Sequence, residues 1–166
     1  MAIIVDRMTP SDIDSVLEIE RVSFQNPWNR DAFLYELKNR NARNYIIRED
    51  PAGEKALSGL QSVDGYSCFH VAADELHLLK MAIKPEKRKQ SLAFHFLAAC
   101  FGKSVEDAVE YAFLEVRESN RAAIRLYEKI GFRPVGVRPA YYPKDPGKRE
   151  NAVIMQKILK GGNSWQ

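Results

Sequence analysis

Met81-Ala82-Ile83-Lys84-Pro85-Glu86-Lys87-Arg88-Lys89-Gln90-Ser91-Leu92-Ala93 is the end of one apolar run, a cationic loop, and the opening of a second apolar run. Residues 77–83 read as a strand. Beyond the loop, Leu92, Ala93, Phe96, Leu97, Cys100 and Phe101 cover more than one face of a helix, which predicts that it is largely buried. A helix N-terminus presents unpaired N–H groups and about half a positive charge, so a strand that delivers Lys84, Lys87, Arg88 and Lys89 there can cradle a pyrophosphate. By charge alone, a solvated basic turn is the better reading.

Working outward, residues 2–8 read as a strand, and Thr9 caps a helix with Pro10 in its first turn and Ile13, Val16, Leu17 and Ile19 on its apolar face. A second helix starts near Asn29 and carries Phe33, Leu34 and Leu37; a strand follows at residues 44–49. Residues 50–64 open on a Pro-Gly turn and then read as either a strand or an inserted loop. Residues 65–71 and 77–83 pair antiparallel, because only the short Ala72-Ala73-Asp74-Glu75 connection separates them. Downstream come a strand at 111–116, a helix capped by Ser119 and stopped by Gly131, and strands at 132–137 and 151–158. No repeat or second domain is visible. The expectation is one α/β (α+β) domain over residues 1–160 with a short tail at 161–166.

Composition sets the outer bounds. A chain of 166 residues with 45% hydrophobic content can bury one core without disulfides or a structural metal. Lys and Arg (25) nearly balance Asp and Glu (22), so no polyanionic surface is demanded as partner. Cys68 and Cys100 sit in separate apolar runs and read as packed, reduced thiols. There is no leader-like N-terminus and no apolar run near the ~20 residues a spanning helix needs, so a soluble, cytoplasmic protein without a membrane partner is expected. His70, His77 and His95 lack tight ligand spacing, which argues for no metal. The basic cluster at 84–89 is short and stands without a nucleic-acid motif, so no direct nucleic-acid contact is expected.

Two side chains stand out as candidate chemistry. Alternation along Tyr111-Ala112-Phe113-Leu114-Glu115-Val116 puts Glu115 on the same sheet face as Tyr111 and Phe113, an unusual place for a carboxylate. Taken alone it reads as well as a salt-bridged residue, with Arg117 or Arg121 as partner. Tyr127 lies on the following helix beside Ala123 at i−4; it reads equally as a core aromatic with its hydroxyl at the rim.

Together the motifs are similar to those of a known family. The loop, read as Arg88-x-x-Ser91-x-Ala93, resembles the acetyl-CoA signature of the GNAT N-acetyltransferase superfamily, with Ser91 where that signature has glycine. Leu114-Glu115-Val116-Arg117-x-Ser119-Asn120 and Leu126-Tyr127-Glu128-Lys129-x-Gly131-Phe132 resemble its ribosomal-protein-alanine N-acetyltransferase branch, as do Phe24-x-x-Pro27-Trp28, Asp74-Glu75-x-His77 and Arg138-x-x-Tyr141-Tyr142. The resemblance implies a GNAT fold, a mixed, bent β-sheet flanked by helices with acetyl-CoA between two splayed central strands. It implies transfer of acetyl to a primary amine, that of an N-terminal alanine of a small-subunit ribosomal protein. The open alternatives are another protein N-terminus, a small-molecule amine, or an acyl-CoA-binding domain without turnover.

The same resemblance carries residue roles. Glu115 becomes the general base and Tyr127 the general acid. Met81, Ala82, Ile83, Arg88, Lys89, Gln90, Ser91, Leu92, Ala93, Phe94 and Asn120 become acetyl-CoA contacts, and Pro27, Trp28, Tyr141 and Tyr142 border the acceptor groove. If Ser91 must adopt positive φ, the strain is about 1–2 kcal/mol. A tyrosine near 10 giving its proton to a thiolate near 8.5 works uphill by about 2 kcal/mol unless the site adjusts either value, and a modest shift suffices. Asn151 stands where the family pattern usually has Asp, removing a charge near the groove.

Overall fold

The computed structural model describes residues 2–50, 62–104 and 108–159. The ambiguous stretch lies largely at 51–61 and the proposed tail at 161–166, both outside the described residues. β1 (Ala2–Arg7) leads into Thr9, whose N–H and hydroxyl both reach the Asp12 carboxylate at 2.8 Å, and a 3-10 turn continues as α1 (Ile13–Ser23). Asn29 caps α2 (Arg30–Lys38) by accepting the Ala32 N–H at 2.9 Å. β2 (Ala42–Asp50), β3 (Gly65–Ala72) and β4 (Glu75–Ile83) follow, with only Ala73 and Asp74 in the β3–β4 turn. After the cationic loop come α3 (Leu92–Ser104), β5 (Tyr111–Arg117), α4 (Arg121–Ile130), β6 (Arg133–Pro143) and β7 (Arg149–Ile158).

The strands form one sheet in the order β1-β2-β3-β4-β5-β7-β6. The β4–β5 pair is parallel and the other pairs are antiparallel, so the sheet is mixed, as expected. α3 and α4 cover one face, where Tyr45, Phe69, Leu78, Phe96, Leu114 and Met155 share a core. α1 and α2 cover the β1–β4 half of the other face over Ile13, Phe33, Ile46, Tyr66 and Cys68. The β5, β7 and β6 part of that second face carries no helix of the described residues. Both thiols are buried, and burial raises Cys68 above the usual thiol range and Cys100 to about 12.

Two sequence expectations need correction. Asn120, not Ser119, is the N-cap of α4: its Oδ1 accepts the Ala123 N–H at 3.2 Å, while the Ser119 N–H is drawn to the Glu150 carboxylate. Both are good cap residues, and tertiary contacts decide which is used. β6 runs to Pro143, well past residue 137, despite its prolines. It is an edge strand pairing only with β7, where a missing N–H need cost no ladder bond.

One irregularity shapes the centre of the sheet. Cys68 pairs with Lys80 and Phe69 with Leu78, which leaves Leu79 as an extra residue on β4. Such a bulge bends its strand and inverts side-chain parity beyond it. Leu76 and Leu78 face the α3 core; past the bulge Met81 and Ile83 do so, while Ala82 joins the α1–α2 core. The parallel β4–β5 ladder runs from Glu75↔Tyr111 only to Leu78↔Leu114. From Leu79 onward the two strands part.

Candidate active site

The parting of β4 and β5 opens a cleft of about 570 Å³. β4 contributes Glu75, His77, Leu79 and Lys80 to its wall, β5 contributes Phe113 and Glu115, and β6 contributes Arg138, Tyr141 and Tyr142; Trp28, from the α1–α2 connection, closes one side. Glu115 thus faces the cleft while its neighbours Leu114 and Val116 face the core. Its partner is Arg138 at 2.5 Å, not Arg117 or Arg121. Arg117 is committed elsewhere, to the Pro143 carbonyl at 2.7 Å and Glu150 at 2.9 Å. Bonds from Ser119 and Arg117 hold the Glu150 carboxyl below its ordinary range. The Arg138 side chain is 55% exposed and Glu115 27%, a setting in which an ion pair contributes about 1 kcal/mol or less. An incoming amine can therefore displace Arg138 at small cost.

Other polar groups in the cleft are likewise paired. The His77 ring stacks on Phe113 at 5.5 Å and its Nε2 lies 2.7 Å from Glu75. The Tyr142 hydroxyl donates to the Glu115 carbonyl at 3.3 Å, and its ring meets Tyr141 edge-on at 5.0 Å. Burial, then the neighbouring Glu115 charge, raises the Tyr142 phenol. Trp28 is half-buried, its backbone N–H donating to Glu20 at 2.7 Å, whereas Pro27 is exposed and outside the cleft wall.

Tyr127 approaches from the opposite face of the sheet. It packs with the α3–α4 core, its ring edge-on to Phe132 at 5.9 Å. Its hydroxyl has no hydrogen-bond partner among the described residues. Desolvation, with a smaller contribution from Tyr142, pushes its pKa up to about 12, which widens its gap to a thiol.

The loop into α3 leaves from the end of β4. Among the described residues, the backbone N–H groups of Lys89, Gln90, Ser91, Leu92, Ala93 and Phe94 make no hydrogen bond; the first amide of the helix to find an acceptor is His95, from the Ser91 carbonyl at 3.2 Å. Lys89 and Ser91 both sit at positive φ, 61° and 60°. The condition for strain at Ser91 is met. The loop's cations are not all free: Lys84 bonds Ser62, Lys87 pairs with Glu49, and Arg88 ties Nε to the Ile83 carbonyl at 2.9 Å and Nη2 to Ser23 at 3.0 Å. Lys89 alone of the four has no partner among the described residues. A row of open amides at a helix start, with one free cation, suits an anionic phosphate.

The sequence pattern described as the Acetyltransferase (GNAT) family matches residues 13–132. The chain belongs to this family. A Haemophilus influenzae protein named as a [Ribosomal protein bS18]-alanine N-acetyltransferase is 34% identical over 156 residues, covering 94% of this chain and 99% of its own. The Escherichia coli protein of the same name is 29% identical over 151 residues, covering 91% and 94%. The crystal structure of the ribosomal-protein-S18-alanine N-acetyltransferase from Escherichia coli superimposes with a TM-score of 0.81 at 25% identity, covering 99% and 100% of the two chains.

In this GNAT chain the structure gathers Glu115, Trp28, Tyr141 and Tyr142 about one cleft, leaves Pro27 outside it, and places Tyr127 across the sheet, with residues 81–83 on the part of β4 that has left β5 and residues 88–94 in the loop and first turn of α3 that follow. Asn120 spends its oxygen on the cap and keeps its Nδ2 without a partner among the described residues. Sequence reasoning missed Arg138 as the Glu115 partner, and the Lys80 and Glu20 pair behind Trp28. The signal for the pair was faint: a lone Lys inside an apolar strand and a lone Glu on an apolar helix face.

Proposed function

We propose that this enzyme transfers the acetyl group of acetyl-CoA to the α-amine of a protein N-terminus, with the N-terminal alanine of a small-subunit ribosomal protein as the acceptor; its relatives are named as ribosomal protein bS18-alanine N-acetyltransferases, which supports the reading. The observation that supports the reading is the parting of β4 from β5 at Leu79, with Glu115 lining the cleft so formed and Tyr127 in the core on the opposite face of the sheet. One acetyltransferase domain over residues 1–160, acting in the cytoplasm without nucleic acid or membrane, fits this role.

In this reading the amides of residues 89–94 and Lys89 bind the pyrophosphate, and the free edge at residues 81–83 carries the pantetheine arm. The acceptor peptide lies along the wall made by Trp28, Tyr141 and Tyr142. An α-amine with a pKa near 7.7–8.0 is roughly a tenth or more neutral at pH 7, so Glu115 has only to take the remaining proton as the amine attacks the thioester carbon. It gives up Arg138 to do so. A phenol near 12 cannot hand a full proton to a thiolate near 8.5 without about 5 kcal/mol. Tyr127 therefore acts by donating a hydrogen bond to the sulfur as negative charge gathers there, a group kept neutral and unpartnered for that purpose.

The test is direct. The protein is incubated with acetyl-CoA and a short peptide starting with alanine, and the peptide mass is read; a gain of one acetyl group is expected. No acetylated peptide, with acetyl-CoA binding intact, sinks the acceptor assignment, and a panel with varied first residues then separates other N-termini from small amines.

A further inference from the structure

Glu20 is a fully buried carboxylate on α1 that the proposed chemistry leaves unused. It accepts from the Trp28 backbone N–H at 2.7 Å and from the Tyr66 hydroxyl, and it pairs with the Lys80 ammonium. That ammonium also lies over the Phe24 ring at 4.1 Å and the Trp28 ring at 5.0 Å. Lys80 is able to do this only because of the bulge at Leu79. With uninterrupted alternation it would point, like Leu76 and Leu78, into the α3 core, where a lone cation is costly. The extra residue that parts β4 from β5 thus also turns Lys80 toward the acceptor side of the sheet.

We propose that Lys80 and Glu20 are a positioning pair that fixes the segment from Phe24 to Trp28 as the wall of the acceptor cleft, and so sets the grip on the acceptor and not on the coenzyme. The inference rests on the reading of this cleft as the acceptor site. Physically, the segment between α1 and α2 has no strand partner; it is held by packing of Phe24 and Trp28 on the α1–α2 core, where the Trp28 ring meets Phe33 edge-on at 5.4 Å, and its polar anchors are one backbone bond to Glu20 and the two ring faces on Lys80. Removing the cation frees the Trp28 ring to move while leaving Glu115, Tyr127 and the open amides of the loop untouched.

Lys80→Met keeps the length of the stem and deletes the charge. Because it strands Glu20 in the core, the double variant Lys80→Met/Glu20→Gln is made beside it, so that neither charge is buried alone. In both, the KM for an alanine-starting peptide is expected to rise roughly tenfold with kcat within about twofold and acetyl-CoA affinity by calorimetry unchanged. Lys80→Arg, which keeps a cation over the rings, is expected to restore most of the peptide KM. In a Trp165→Phe background, the emission of Trp28 shifts to the red in the Met variants and not in the Arg variant. A folded double variant with the parental peptide KM and the parental Trp28 emission overturns the proposal. Failure of the parent enzyme to acetylate any peptide defeats the acceptor reading instead, and the emission of Trp28 still decides whether the pair holds the segment.

Discussion

The two sides of the opening are built in opposite ways. On the side proposed for the coenzyme, residues 89–94 offer bare backbone amides from an exposed loop that holds Lys89 and Ser91 at positive φ. On the acceptor side the polar groups are already paired: Glu115 with Arg138, Glu75 with His77, Tyr142 with the Glu115 carbonyl, Glu20 with Lys80. The loop stores strain, about 1–2 kcal/mol for each non-glycine residue there, and waits for an anion. The cleft exchanges partners. A ligand for the loop gains bonds outright, whereas a ligand for the cleft must first compete with an ion pair that is weak at Glu115 and well buried at Glu20.

The sharpest way to break that contrast is Glu115→Gln. It removes the proposed base and the Arg138 ion pair together but leaves the loop alone, so turnover of an alanine peptide is expected to fall about a hundredfold, toward the low end of general-base effects because an α-amine asks little of its base. Acetyl-CoA affinity by calorimetry stays put. A variant with half the parental turnover or more shows that Glu115 is only a structural partner of Arg138.

Tyr127→Phe tests the group that belongs to neither side. Turnover should fall roughly tenfold, the coenzyme affinity should hold, and the pH dependence should keep the limb set by the acceptor amine, since a phenol near 12 does not titrate where the enzyme is assayed. Stability supplies a second reading. The folded phenol holds its proton to about 12 while the unfolded one releases it near 10, so its contribution is complete below pH 10 and is lost as pH rises toward 12. Urea unfolding at pH 9 and pH 11 should show a larger alkaline loss in the parent than in Tyr127→Phe. Equal losses in the two would mean that the phenol is solvated.

Ser91→Gly sharpens the loop side. The strain at φ 60° is present without the ligand, so its relief should raise the Tm and change acetyl-CoA affinity by at most about tenfold, read by calorimetry, with the acceptor KM unchanged. Weaker binding would show that the serine hydroxyl holds phosphate.

Much of this was legible before any coordinates. The strand, cationic loop and buried helix at residues 77–101 declared themselves because apolar periodicity and a charge cluster coincide at a helix start, and the alternation around Glu115 gave its face correctly. The bulge at Leu79 was not legible: residues 76–83 carry no glycine or proline to mark it, and its cause is the packing of two sheet faces at once. Nor was the Glu115–Arg138 pair, because β7 is inserted between β5 and β6, and only that sheet order brings Arg138 within reach. Ser119 and Asn120 are both good caps by type, so the choice between them waited on Glu150.

The smallest expected effect concerns Asn151, which uses its amide in both directions. Its Nδ2 donates to Glu118 at 3.2 Å, and its Oδ1 accepts the N–H of Ala140 at 2.9 Å. Ala140 is at φ 48°, in the stretch where β6 slips register against β7 just before Tyr141 and Tyr142. Asparagine can satisfy both neighbours, but aspartate has only acceptors and would set a second carboxylate against Glu118. The lost charge near the groove is thus the condition for holding this bend beside Glu118. Asn151→Asp should lower stability by about 1 kcal/mol, read as a lower Tm, and raise the peptide KM a few-fold by loosening the tyrosine wall. Asn151→Asp combined with Glu118→Gln should recover the Tm, because the amide then sits on the other side of the same contact; a Tm that stays low in the double variant would mean that the contact with Glu118 is not what requires the asparagine.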